Sequence, residues 1–165
     1  MALRELRFMG DPVLRQPAAP VAAFSDEVRQ LIADMFDTMY AEDGVGLAAP
    51  QVGVSERVIV VDPRDDVVQP FALVNPEILE FSDDLDRGEE GCLSIPGLKE
   101  IVERAWSIRI RGLDREGAPV ELEAEGLLAR ILQHEVDHLD GILFLDRVSA
   151  LKRKLLLARW QKVKP

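Results

Sequence analysis

Two histidines occur in the chain, His134 and His138, four residues apart in LLARILQHEVDHLDGILF (127–144), with Glu135 following the first. On a helix, residues at this spacing share a face, with Cβ atoms about 5–6 Å apart. Two imidazoles so placed can reach one metal ion, which needs nitrogen ligands at about 2.0–2.1 Å. Glu135 falls on the flank of that face, poor as a ligand but well placed to take a proton from water at the metal. Leu127, Leu128, Ile131 and Leu132 occupy the same side one and two turns earlier. The histidines therefore project into the core, where an unpaired imidazole is costly. The bland alternative is a chance pair of core histidines beside a glutamate.

A catalytic metal site needs a third protein ligand. One class of zinc proteases continues the motif as H-E-x-x-H-x-x-G-x-x-H. Here Gly141 keeps the glycine, but Phe144 stands where the last histidine belongs. Other proteases take a glutamate from a following helix, yet the only acids after His138 are Asp140 and Asp146. The ligand must come from upstream, and no histidine is left to supply it.

Cys92 is the candidate. It is the only cysteine, which excludes an internal disulfide and fits a reducing compartment. A lone cysteine is most often a small buried hydrophobe, but its thiolate is a strong ligand for a borderline-soft divalent metal. It lies in RGEEGCLSIPG (87–97), where three glycines and Pro96 predict a tight connection between strands. A second unusual stretch, GVGLAAPQVG (44–53), has glycines at 44, 46 and 53. They allow close approach of a ligand backbone, and Gln51 offers an amide that can donate to an oxyanion. Alone, that stretch is a weak signal.

These groups need elements to hold them. Pro12, Pro17 and Pro20 predict an extended lead-in. Ser25 reads as the N-cap of an amphipathic helix carrying Val28, Leu31, Ile32, Met35, Phe36 and Met39 and ending near Asp43-Gly44. The middle reads as β: RVIVVD (57–62), FALVNPEILEF (71–81) as two strands broken at Asn75-Pro76, EIVERAWSIRIRGL (100–113) with alternating faces, and PVELEA. A helix over about Glu125–Asp140 stops at Gly141, and Ser149 starts a last one over about 149–163. Without βαβ alternation, this order predicts an α+β domain. Mostly antiparallel strands pack around a central metal-binding helix, with one helix N-terminal and one C-terminal to them.

Bulk properties narrow the function classes. At 165 residues the chain suits one domain, 1–165, with an ordinary composition of 47% hydrophobic and 30% charged residues. No apolar run approaches a membrane span, and MALRELRFMGDP lacks the apolar core of a secretion signal. The net charge of −10 is uneven: residues 147–165 hold seven basic side chains and no acid, leaving thirteen basic against thirty acidic residues in 1–146, a net −17. A basic tail on an acidic body points to an electrostatic partner, nucleic acid being the usual one, or simply to a solvated helix end.

Taken together, GVGLAAPQ, EGCLS and QHEVDHLDG closely resemble, in order and spacing, the three signature motifs of peptide deformylases. These enzymes remove the N-formyl group from the initiator methionine of nascent bacterial or organellar proteins. The resemblance covers nearly the whole chain, including the GDPVLRQPAAPV lead-in. It implies one divalent metal held by Cys92, His134 and His138, ferrous iron natively, with zinc, nickel or cobalt as substitutes. It implies Glu135 as general base, and an oxyanion held by the metal, the Leu93 N–H and the Gln51 amide. The N-formyl-methionyl peptide would lie along Gly44, Val45 and Gly46 and the Glu90-Gly91 turn, near Lys99. Val45, Leu127 and Ile131 would contribute to an apolar methionine pocket.

Two positions depart from the family pattern. Lys99 falls where an arginine is frequent and keeps the charge without the planar fork. Gly88 falls where a bulky apolar residue is frequent, implying a more open pocket. The resemblance also implies a cytoplasmic bacterial enzyme, or an organellar one whose transit peptide is missing from this chain, with no membrane or DNA partner. In some members a charged C-terminal extension docks on the ribosome, a role Lys152–Lys164 would fill. The rival readings are a metallopeptidase, opposed by the missing downstream ligand, and a non-catalytic relative, opposed by Glu135 and Gln51.

Overall fold

The computed structural model describes residues 2–165. The lead-in is not extended throughout, since Pro12–Arg15 forms a 3₁₀ turn capped by Asp11, and after it helix α1 (Asp26–Ala41) starts as expected, with Ser25 Oγ accepting from the Val28 N–H at 3.4 Å. Five antiparallel strands form one sheet in the order β1-β2-β3-β6-β7. They are β1 (Gly46–Ala48), β2 (Val58–Val61), β3 (Phe71–Phe81), β6 (Ser107–Leu113) and β7 (Pro119–Glu125). A separate hairpin pairs β4 (Leu85–Cys92) with β5 (Ile95–Ala105). Helix α2 (Gly126–Leu139) and helix α3 (Ala150–Val163) follow. The chain is thus α+β with antiparallel strands, as its pattern of elements implied.

The sheet carries a helix on each face. In β2, Ile59 and Val61 face α2 while Val58 and Val60 face α1, the period-2 alternation of a strand buried on both sides. Helix α2 packs against that sheet on one side and against β5 of the hairpin on the other. From Ala129 to Leu139 every residue of it is buried. A third cluster, from Leu14, Ile95, Leu98, Phe144, Leu156 and Trp160, ties the lead-in, β5 and α3 together.

Two strand boundaries differ from the expectation. Asn75-Pro76 does not break β3. Asn75 takes a left-handed φ of +54°, and its side chain pairs with both backbone groups of Val21 (2.8 and 3.0 Å), so the irregularity is absorbed as a shift in register. Conversely, 100–113 is not one strand. The chain leaves the hairpin at Trp106 and enters the five-stranded sheet, an exchange of partner that alternation does not record.

Candidate metal centre

Cys92 is the last residue of β4, at the mouth of a two-residue turn, Leu93-Ser94. The RGEEGC stretch is therefore regular strand up to the cysteine, with only the turn itself irregular. Its period-2 alternation points Asp86, Gly88, Glu90 and Cys92 inward, toward α2. The sulfur arrives 3.3 Å from His138 Nε2. Cys92, His134 and His138 present ligand atoms that all lie within 4.8 Å of one another.

This trio fits a metal ion. Metal–nitrogen bonds of about 2.0–2.1 Å and a metal–sulfur bond of about 2.3 Å on tetrahedral corners put donors about 3.3–3.6 Å apart. Glu90 contacts His134 Nδ1 at 2.9 Å, a bond that makes Nδ1 the proton-bearing nitrogen and turns the Nε2 lone pair to the site. Burial pulls His138 well below the ordinary histidine range, helped by His134 and Arg104, keeping that ring a neutral donor. Burial acts the same way on His134, but Cys92 and Glu90 raise it, so the ring holds a proton on Nε2 that a metal ion bound there would displace. Phe144, standing where the protease motif has its third histidine, stacks on His134 with ring centroids 6.3 Å apart.

The other candidates surround this trio. Gln51, 1% exposed, sits in a 3₁₀ turn (Ala49–Val52). Its carbonyl accepts from the Ala48 N–H at 2.9 Å, and its NH₂ reaches Ser94 Oγ at 3.1 Å and Cys92 Sγ at 3.6 Å. The amide thus aims its donors at the sulfur. Glu135 is buried, and burial pushes its carboxyl up to about 7. Its Oε1 has no hydrogen-bond partner among the described residues. A bound dication would draw that value back down. Gly46 lies against it so closely that a Cβ there would meet Oε2 at 2.7 Å and Ile131 at 2.9 Å. Only glycine lets β1 run past this carboxylate.

A cleft of about 420 Å³ opens beside the trio. Gly44, Val45, Gly46, Glu90, Gly91, Leu93, Lys99, Leu127 and Ile131 all line it, together with Gln51, Cys92, His134 and Glu135. His138, 1% exposed, lies behind it. Val45 and Leu127 stand at the exposed rim. Lys99 is there too, its ammonium 4.0 Å from Glu89.

Two expectations change. Gly88 does not open the pocket, because Arg130 lies over it: a Cβ at residue 88 would come within 3.0 Å of the guanidinium. Glu90 is more than a turn backbone, since its side chain is buried behind His134. Arg104 holds it through Nε and Nη2 at 2.9 Å each, and Arg130 through Nη1 at 2.6 Å. Burial works against its charge, but Arg104 and His134 overcome that and hold it well below the carboxylate range.

The chain of charges continues outward, and its pairing is not legible in the sequence. Arg104 Nη1 donates to Asp137 at 2.6 Å, and Arg147 donates to both Asp137 oxygens at 3.0 and 2.8 Å. The available signal was Arg130, Gln133 and Asp137 scattered round a helix that also carries apolar residues on every side. Such a helix has no wet face, so its charges need buried partners.

Two buried histidines and a half-buried cysteine that could hold a metal ion, at the base of a cleft with a carboxylate and an amide beside them, are the arrangement of a hydrolase site. Residues 3–154 match the family model for polypeptide deformylase. A peptide deformylase of Alkalilimnicola ehrlichii is 53% identical over 164 residues, covering 99% of this chain and 92% of the relative. One from Stutzerimonas stutzeri is 48% identical over 163 residues, 99% and 97%. The crystal structure of a peptide deformylase from Legionella pneumophila superposes with a TM-score of 0.91 at 46% identity, covering 98% and 95%. That of Synechococcus elongatus in complex with actinonin gives 0.89, also at 46%, covering 98% and 90%. The chain belongs to the polypeptide deformylase family.

Proposed function

We propose that this chain is a hydrolase that removes the formyl group from N-formyl-methionyl peptides, releasing formate and a free N-terminus. The observation that carries the reading is the convergence of Cys92, His134 and His138 beside a buried glutamate with an unpartnered oxygen. One domain spans residues 1–165. Cys92, His134 and His138 hold one divalent ion, ferrous iron being the expected native metal and zinc, nickel or cobalt substitutes. When bound, the ion acidifies water and polarises the formyl carbonyl.

The protein supplies the rest. Glu135 takes a proton from the attacking water as its oxygen bonds to the formyl carbon. The negative charge that grows on the formyl oxygen meets the Gln51 NH₂, already fixed by Ala48, and the Leu93 backbone N–H. Glu135 then delivers the proton to the peptide nitrogen as the C–N bond breaks. Gly44, Val45 and Gly46 on one wall and Glu90-Gly91 on the other receive the extended peptide backbone. Lys99 offers charge at the rim, and Val45, Leu127 and Ile131 flank the methionine side chain.

The expected compartment is the bacterial cytoplasm. Among the described residues no helix is long and apolar enough to cross a membrane. Ribosome docking through α3 is part of the proposal, and the ion pairs narrow its footprint. Lys152 pairs with Glu100, Arg153 with Asp146 and Arg147 with Asp137. Lys154, Arg159, Lys162 and Lys164 make no ion pair among the described residues, so charge reversal there should abolish cosedimentation with ribosomes.

The test of the activity is formate release from a formyl-Met peptide by anaerobic iron- or nickel-loaded protein. Release that is lost in Glu135→Gln with metal retained supports the reading. No release from the wild-type holoprotein overturns it.

A further inference from the structure

We infer that Ser94 is a positioning residue for the proposed reaction. Its hydroxyl oxygen holds one N–H of the Gln51 amide, which leaves the other to face the growing oxyanion. The inference rests on the proposed deformylation and names the group that aims its side-chain donor.

Ser94 is the second residue of the Leu93-Ser94 turn, directly after the residue whose N–H is the other proposed oxyanion donor. It is 0% exposed and Gln51 is 1% exposed, so neither side chain can fall back on bulk water. The Gln51 side-chain oxygen accepts from the Ala48 N–H at 2.9 Å, which fixes the nitrogen end of the amide. That nitrogen donates to Ser94 Oγ at 3.1 Å and lies 3.6 Å from Cys92 Sγ. An amide NH₂ carries two hydrogens in one plane. Ser94 holds the first at ordinary hydrogen-bond length. The second makes only a long contact to sulfur and is the one available to an oxyanion.

One segment pins the backbones of both residues. The Arg7 N–H donates to the Gln51 backbone carbonyl at 2.7 Å, and the Met9 N–H donates to the Ser94 carbonyl at 2.9 Å. The lead-in thus stitches the 3₁₀ turn carrying Gln51 to the turn carrying Ser94, and the hydroxyl is held beside the amide. Removing the hydroxyl leaves a buried N–H without its acceptor. The remaining partner of that nitrogen is the Cys92 sulfur. An amide turned toward the sulfur no longer presents its hydrogen to the formyl oxygen, and the loss falls on the transition state rather than on the bound peptide.

The experiment measures kcat, KM and metal content for a formyl-Met peptide on metal-loaded protein. Ser94→Ala should lower kcat by about tenfold or more, with KM within about twofold and metal retained. Ser94→Cys, close to serine in size but a poor acceptor, takes its place if the alanine variant does not fold. In a Gln51→Ala background the same change should alter kcat by less than about twofold, because the group that Ser94 aims is gone. Amide NMR of the metal-free protein gives a reading independent of turnover. There the Gln51 side-chain NH₂ should exchange with solvent about tenfold faster or more in Ser94→Ala. A kcat within about twofold of wild type, a loss carried by KM, the same loss with and without Gln51, or unchanged exchange overturns the inference and leaves deformylation standing. Wild-type holoprotein that releases no formate overturns both.

Discussion

Glu90 and Glu135 are both buried glutamates beside His134, yet the protein treats them oppositely. Behind the histidine, Glu90 meets two arginines and an imidazole N–H and stays ionised far into acid. On the cleft side, Glu135 has no cation in contact, one oxygen without a partner, and a carboxyl raised to about 7 by burial. Burial alone pushes either carboxylate upward; what differs is the supply of partners. The hairpin side of α2 is held by ion pairs, and the cleft side keeps an unpartnered carboxylate oxygen, as the proposed metal and substrate site requires.

Four substitutions would break or sharpen this contrast. Glu135→Gln, the largest, should cut formate release by about 10²–10⁴-fold with metal retained and little change in melting temperature, because no partner is lost. Steady-state kinetics with elemental analysis checks it. Glu90→Gln should do the reverse. Arg104 and Arg130 lose their counter-charge, costing about 3–5 kcal/mol by denaturant titration. Metal affinity should fall about 10–100-fold as His134 loses its orienting bond. If this variant proved as mild to stability as Glu135→Gln, the difference in partners would not explain the contrast.

Gly46→Ala tests the cleft side alone. Its methyl would displace Glu135, lowering kcat/KM by about tenfold or more while the Glu90 side keeps its stability. The smallest effect belongs to a carboxylate wired at the surface. Burial works against Asp146, but Arg15, the Leu143 N–H and Arg153 lower it from an ordinary 3.8. A depressed folded-state value stabilises the protein above the unfolded value, and that gain is lost as pH falls through the folded one. Asp146→Asn should thus cost at most about 1 kcal/mol at pH 7, since the site is partly solvated. The gap to wild type in thermal melts should shrink below about pH 4.

The sequence disclosed these two sides unequally. The candidate site residues of α2 are local: His134, Glu135 and His138 fall within about one helical turn, and their spacing states their geometry before any fold is known. Cys92 is reachable through the chemistry of a missing ligand, although glycines at 88 and 91 resemble turn residues and make its strand read as a tight connection. The wired side is non-local. Glu90, Arg104, Arg130 and Asp137 come from β4, β5 and two turns of α2, and a charge's type does not disclose which distant charge it will meet. Gly88 failed for the same reason. Its empty position suggested space, while the side chain filling that space lies 42 residues onward. The break at Trp106 and the continuity through Asn75 were hidden because one depends on a change of sheet and the other on an amide borrowed by the lead-in.

The proposed chemistry requires Cys92, His134 and His138 to share one ion. X-ray absorption on anaerobically loaded iron or cobalt protein measures that directly. The expected first shell has one sulfur at about 2.3 Å and two imidazole nitrogens at about 2.0–2.1 Å, the sulfur being lost in Cys92→Ser. A shell of nitrogen and oxygen only, or a sulfur signal that survives Cys92→Ser, would contradict it.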